Sequence, residues 1–597
     1  MAVKPASPRI TISEIDKTAI VPAVGASGGA FVGNFRWGPV HERTLVADES
    51  GLVTAFGAPS DANSVDFHSA AYFLKYSQTL QIVRENNGGV NAHSAITKLS
   101  DSATVNNLSH WENTVSSAVG EGASATNSGT WIAKYPGTLG NALTVSFCPA
   151  GDSAGANHFT SWAYASNFDR KPGTSTYASN NGASNDEIHV AIIDRTGAIT
   201  GTVGSVVEKF EHLSMANGAV TPDNSPNYIS DVLNQNSQYI WNGYFGDDSA
   251  FGSSYLNLGA KIGLTPSTDS AVNYGIGVAL TNGVRTVNLG GGVESSTLGT
   301  AEIATGFDLF EDKFTTEVDF LIAPQHASTA NGTTVVNDLT GIAEIRKDCV
   351  VVTSVPRDAV VGKTDAQAAT NAVSFSDTLT QSSYAILDNN FFKVFDKYND
   401  KYINIPANSS TAGLMAATDI VADPWYSPAG QRRGQYRGVT SILTNPNQTQ
   451  RDQLYKAGVN PIANIPGTGL VLFGDKTLES RPSAFDRINV RRLFIAIEKS
   501  IAEAAKNVMF EFNDEFTRSE FVNIVEPFLR RVKGRRGITD FRVVCDSTNN
   551  TQEVIDNNQF VASIFVKPAR SINFVQLNFV AVRTGVDFEE VVGSVGA

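Results

Sequence analysis

Cysteine is scarce in this chain: Cys148, Cys349 and Cys545 are scattered over 597 positions. So few, so far apart, fit three buried thiols better than a disulfide framework or a thiolate metal knuckle. Long apolar runs are missing too. No stretch approaches the roughly 18 residues of a membrane span, and the opening MAVKPASPRI has no apolar signal-peptide core, so folding in cytoplasm and no direct membrane insertion are expected. Charged residues make up only 17%, against about a quarter in soluble domains generally. Their balance is acidic, with a net charge of -14, which argues against a nucleic-acid partner, because phosphate binding needs clustered positive charge. Histidine is sparse and dispersed. His41, His68, His93, His110, His158, His189, His212 and His326 share no ligand spacing on one helix, and HExxH, CxxC and GxSxG are absent. No catalytic residue, metal or cofactor is expected.

What is present is size, glycine and β-favouring sequence. A chain of 597 residues outgrows a single hydrophobic core, so several domains are expected. Pro5 and Pro8 oppose helix at the start, after which RITISEI sets Ile10 and Ile12 on one side of an extended arm that can join a sheet edge. The far end, FVASIFVKPARSINFVQLNFVAVRTGVDFEE, carries two β-favouring segments that need a sheet in this subunit or a neighbour. SVDFHSAAYFLKYS then TLQIVRE read as helix then strand, and AEIRKDCVVVTSVP supplies a buried strand suited to a central parallel sheet. Phe310, Phe314, Val318, Phe320, Leu321 and Ile322 read as a helix-to-strand unit, and the same α/β alternation is expected in SSYAILDNNFFKVFDKYNDKYINIP. The polar stretch from about Asn91 to Asn185 reads as a mostly β insertion, with strands in WIAKYPGTLGNALTVSFCPA and HFTSWAYASNF. The clearest helix runs from about Asn489 to Glu511, with Val490, Leu493, Phe494, Ile497, Ile501, Ala504, Ala505 and Val508 on a core side and Arg491, Glu498, Lys499, Glu503 and Lys506 on other faces.

Patterns that resemble sites mostly have plainer readings. Asp194 and Arg195 follow a strand, but a turn-forming Asp explains the pair. Glu589 and Glu590 lie in a tail without partner geometry. GTGLVLFG at Gly467–Gly474 lacks the Lys and Ser/Thr of a phosphate loop and precedes a strand, whereas a dinucleotide fingerprint opens a helix, and the glycines of LGGG at Leu289–Gly292 are equally explained by turns. The group Arg530, Arg531, Lys533, Arg535 and Arg536 reads either as a solvated helix end or as a patch that pairs reversibly with an acidic protein surface.

Several segments taken together resemble a known family: GAFVGNFRWGP, KYPGTLGNALTV, NYISDVLNQNSQYI, VNLGGGVES, SSYAILDNNFFKVFD, and above all AGVNPI, GTGLVLFGDKTL and the INVRRLF helix in that order. They span nearly the whole chain and are similar to the contractile tail sheath proteins of bacteriophages, a family shared with contractile injection machines. Lys476 stands where relatives often carry Arg, and DPWYSPAGQRRG departs from the usual sequence there. The resemblance implies a mixed α/β and β, multidomain subunit with an inner α/β core, outward-facing inserted β-rich domains and terminal strand arms. The expected division is an arm at 1–20, an α/β middle domain at 21–95 and 191–350 interrupted by a β-rich insertion at 96–190, an α/β sheath domain at 351–480, an inner C-terminal domain at 481–570 and a strand and arm at 571–597. Strand exchange between neighbours would use Ile10, Ile12 and Ile15 at one end and Ile572, Phe574, Leu577, Phe579, Val580 and Val582 at the other. Arg530, Arg531, Lys533, Arg535 and Arg536 are candidate contacts to the tube or a neighbour. Implied partners are copies of the chain in stacked six-membered rings, a tail tube protein, and baseplate and tail terminator proteins, located in the virion tail after assembly in the host cytoplasm. A static tube, shell or surface-layer protein, or an α/β enzyme, are the competing readings.

Overall fold

Unbroken apolar runs such as Phe31–Val32, Phe320–Ile322 and Val350–Val352 need burial on both faces of a sheet, and these residues are essentially inaccessible to solvent. They lie at the middle of a seven-stranded sheet in the order Val459–Asn460, Ala385–Asp388, Val350–Ser354, Phe320–Ile322, Gly29–Gly33, Leu80–Arg84, Arg43–Val46. All neighbours are parallel except the edge strand Arg43–Val46, which runs antiparallel to Leu80–Arg84. Gly29 pairs with Phe320 on one side and Leu80 on the other, and Val352 pairs with Ile322 and Ile386. The computed structural model describes residues 27–94, 104–115, 131–150, 158–180, 185–216, 218–242 and 284–573.

Helices cover both faces of this sheet. On one, Phe307, Leu339 and Phe375 from helices Thr300–Asp308, Thr329–Arg346 and Asp365–Ser376 share a core with Val32, Leu321 and Val351. On the other, Phe67 and Phe73 of Ser64–Leu74 and Met415 of Asn408–Val421 pack with Phe31, Ile322 and Ile386. Gly306 lets its helix approach the sheet closely, since a Cβ there would stand 2.6 Å from Val32 Cγ1.

Between the Leu80–Arg84 and Phe320–Ile322 strands the chain builds a separate antiparallel sheet in the order Ser205–Ser214, Glu187–Asp194, Leu143–Pro149, Arg285–Asn288. Trp131, Phe147, Val190, Ile229 and Leu233 fill one core against it. The segment HFTSWAYASNF, expected to contain strands, instead forms the helical turns His158–Ser161 and Ala165–Asn167. Trp162 and Phe168 thereby pack on Ala191 and Ile193, so aromatic content there serves packing on a sheet and not membership of it. The expected α/β alternation from Ser382 to Pro406 is in fact three strands, Ala385–Asp388, Phe391–Asp396 and Lys401–Pro406, the last two an antiparallel hairpin. In the Phe310–Ile322 stretch the helix ends at Asp308 and only Phe320–Ile322 is strand.

Contacts divide the described residues into two units, 27–424 with 428–500, and 425–427 with 501–573. In the smaller unit, helix Glu515–Gly534 buries Thr517, Phe521, Val525, Leu529 and Val532, a stripe with helical spacing. It packs against the antiparallel ribbon Ile538–Val544 and Ser563–Pro568, where Phe541 pairs with Val566. The mixed α/β, multidomain class expected from the sequence is thus the observed one. Among the described residues no helix is long and apolar enough to cross a membrane. All three cysteines are buried free thiols.

Candidate assembly surfaces

The ribbon is the element best suited to join another chain. A two-stranded sheet has two outer edges of backbone N–H and C=O groups, and among the described residues neither strand pairs with a third. The expected arm residues Ile10, Ile12 and Ile15, and Phe574, Leu577, Phe579, Val580 and Val582, lie outside the described residues. Ile572 is described; it is exposed and precedes them without regular structure.

The five basic residues all reach solvent. Arg530 pairs with Glu526 at 3.0 Å, Lys533 with Asp540 at 3.1 Å, and the Arg531 guanidinium lies 6.0 Å from the Phe528 ring. Arg535 contributes its carbonyl as well, accepting hydrogen bonds from Trp425 Nε1 and Tyr426 Oη. Arg536 adopts a left-handed backbone conformation where the helix stops. Cations at a helix C-terminus suit its dipole, so helix polarity places them and leaves their side chains outward.

On the side of the long helix expected to meet solvent or a partner, Arg491 is instead buried and Lys499 half-buried, and the neighbouring Arg492 is buried as well. The helix spans Ile488–Ala505 followed by a short tight turn Lys506–Val508. Arg491 is buried between the Tyr384 and Phe485 rings, 4.4 and 4.5 Å from their centres. Arg492 pairs with Asp419 and donates to the Met415 carbonyl. Lys499 binds Asp319 at 2.6 Å, and burial alone would lower its pKa, yet that carboxylate holds it above the ordinary value. The same two carboxylates hold the first described residues: Ser27 Oγ donates to Asp419, and the Gly28 N–H to Asp319 at 3.0 Å. These carboxylate pairings join residues 73 to 392 positions apart, and sequence reasoning had no signal for them.

A buried titratable group lies at the carboxyl ends of the parallel strands, where α/β enzymes commonly place ligands. Burial pushes the Asp388 carboxyl up to about 7, against hydrogen bonds from Ser354 Oγ at 2.6 Å and Thr411 Oγ1 at 2.9 Å. Thr411 also contacts Tyr436 Oη, and the Asn408 N–H donates to Ser354 Oγ. Asp388, Ser354, Asn408 and Thr411 are all within the core, so this network knits strands to helix Asn408–Val421 and is closed to a substrate. Asp194 is the turn-former expected: burial would raise it, but N–H groups of Gly197, Ala198, Ile199 and Thr200 hold it below the ordinary range. Gly467 and Gly469, in the bend of hairpin Ile462–Ile465 and Gly469–Leu472, have the positive φ of a turn. Among the described residues no group of three or more His, Cys, Asp or Glu could hold a metal ion.

The chain is also similar to several known proteins. The profile of a phage tail sheath protein central domain matches residues 299–478, and that of a phage tail sheath C-terminal domain matches 480–581. The tail sheath protein of Vibrio phage KVP40 is 31% identical over 691 aligned positions, covering 98% of this chain and 99% of that one. That of Enterobacteria phage T4 is 31% identical, covering 99% of each. In fold, the chain is similar to the crystal structure of the sheath tail protein Lin1278 from Listeria innocua, with a TM-score of 0.52 at 12% identity over 92% of this chain and 96% of that one.

Proposed function

Since the chain belongs to the phage tail sheath protein family, and so to the structural components of virion tails, we propose that it polymerises around a tail tube in an extended, high-energy state and shortens to drive the tube through the host envelope. The observation that carries this reading is the ribbon of the smaller unit, neither of whose outer edges pairs with a third strand among the described residues. An arm around Ile10 to Ile15 from one neighbour and a strand around Ile572 to Val582 from another would extend it to a four-stranded sheet. Main-chain hydrogen bonds contribute about 1 kcal/mol each net, so several per strand tether neighbours while rigid units rotate. Linked in this way, a lattice can shorten without coming apart.

Copies would stack as six-membered rings around the tube protein, between a baseplate that releases the stored energy and a tail terminator, after assembly in host cytoplasm. The proposed division keeps 96–190 as an outward insertion and assigns the inner surface to 481–570. Arg530, Arg531, Lys533, Arg535 and Arg536 are then contacts to the tube or to a neighbouring subunit. A static tube would share the arms but not the second state. Electron microscopy of tails carrying the chain, before and after brief warming, is expected to give two discrete sheath lengths; one length under all conditions contradicts contraction.

A further inference from the structure

Helix Glu515–Gly534 has two dissimilar ends. Just before and at its start, Met509, Phe510, Phe512 and Phe516 are exposed, Phe510 completely so and in a left-handed backbone conformation. Four large apolar side chains open to water within eight residues are uncommon on a free surface and mark a contact site. Glu511 and Glu520 stand exposed among them. At the other end are the exposed cations, of which Arg531 and Arg536 concern the contact most. Residues three and four apart share a helix face, so Phe516, Glu520, Asn523, Pro527 and Arg531 form one outward stripe, all exposed, running from aromatic and acidic to basic. The helix dipole explains the order of the charges. It does not explain the aromatic residues.

A helix of 20 residues is about 30 Å long, well beyond the roughly 8 Å over which charges act in physiological salt. The two ends of one copy therefore cannot neutralise each other, whereas the ends of two copies can. We propose that the aromatic and acidic start of this helix in one subunit docks on the basic end of the same helix in the next. Guanidinium groups over the exposed phenyl rings and against Glu511 and Glu520 supply both attraction and register. The contact joins different surfaces of identical chains, so it propagates head to tail as a ring or helical row requires. It rests on the sheath reading and assigns the basic residues to a neighbouring subunit in place of the tube.

The test uses two variants of the full chain, Glu511→Lys with Glu520→Lys, and Arg531→Glu with Arg536→Glu, with light scattering to find the concentration at which each assembles. Alone, each is expected to need roughly tenfold more protein than the wild type, about 1.4 kcal/mol, with an unchanged melting temperature. Mixed in equal amounts they present opposite charges again, and assembly is expected to return near the wild-type concentration. Phe510→Ser, at a side chain that supports no core, is expected to weaken assembly without altering melting. Wild-type behaviour of either charge variant alone, or a mixture no better than its components, overturns the contact while leaving the sheath reading standing. Failure of the wild-type chain itself to assemble removes both.

Discussion

Arg346→Ala is expected to lower amide protection in the Val350–Ser354 strand by roughly 10²- to 10⁴-fold, corresponding to about 3–5 kcal/mol for breaking a buried ion pair. The Arg346 side chain has no solvent exposure and closes helix Thr329–Arg346 onto the sheet. Its Nε and Nη2 grip both oxygens of Asp348, at 2.9 and 3.0 Å, while Nη1 donates to the Phe310 carbonyl and Nη2 to that of Thr316 at 2.9 Å. Alanine leaves two carbonyls and a largely buried carboxylate without donors, and unmade bonds of this kind dominate the cost. Adding Asp348→Asn should recover part of the loss, because the orphaned charge goes with it. Hydrogen exchange is the proper measurement, since a chain of two units need not unfold in one step. Less than a tenfold change would mean that the pocket relaxes to admit water.

The second large effect is a pH dependence belonging to Asp388. Its folded-state pKa is about 7 against an ordinary 3.8, raised by burial, so between these values the folded chain holds a proton that the unfolded chain has released. The contribution of Asp388 to stability is therefore greatest below about pH 4, falls as pH climbs to about 7 and is flat above. Three units at 1.4 kcal/mol each give a fall of about 4 kcal/mol. Asp66, raised to about 6 by burial, slopes the same way, so the wild-type curve alone does not assign the effect. The difference between wild type and Asp388→Asn does. Exchange protection of Ala385–Asp388 should lose this slope in the variant and exceed that of the wild type at pH 8. Parallel curves would place the proton elsewhere.

What could be read from the sequence followed the range of the forces involved. Val350–Ser354 and Phe320–Ile322 were legible because burial on both faces leaves an unbroken apolar run. Helices Ser64–Leu74 and Ile488–Ala505 carried their own period, and Asp194 its own turn. HFTSWAYASNF reads as strand because Trp162 and Phe168 have the composition of strand residues, whereas their packing against Ala191 and Ile193 depends on a sheet built elsewhere. SSYAILDNNFFKVFDKYNDKYINIP reads as α/β alternation, yet Phe392 and Val394 are buried and Lys393 and Phe395 exposed, the two-residue period of a hairpin. The charged face of helix Ile488–Ala505 was the hardest to foresee. Nothing near Arg492 or Lys499 in sequence announces Asp419 or Asp319, which the fold brings in from two other elements. The basic end at Arg530–Arg536 was visible as composition, but only the folded helix sets it opposite Phe510 and Phe512.

The central claim, a self-assembling sheath subunit joined by exchanged arms, is tested most directly by negative-stain electron microscopy of the full chain beside the same chain without residues 1–20. Tubes or stacked rings from the full chain, lost on truncation while the melting temperature stays unchanged, are the predicted result. A monodisperse monomer from the full chain under all conditions, or equal tubes from both chains, would contradict it.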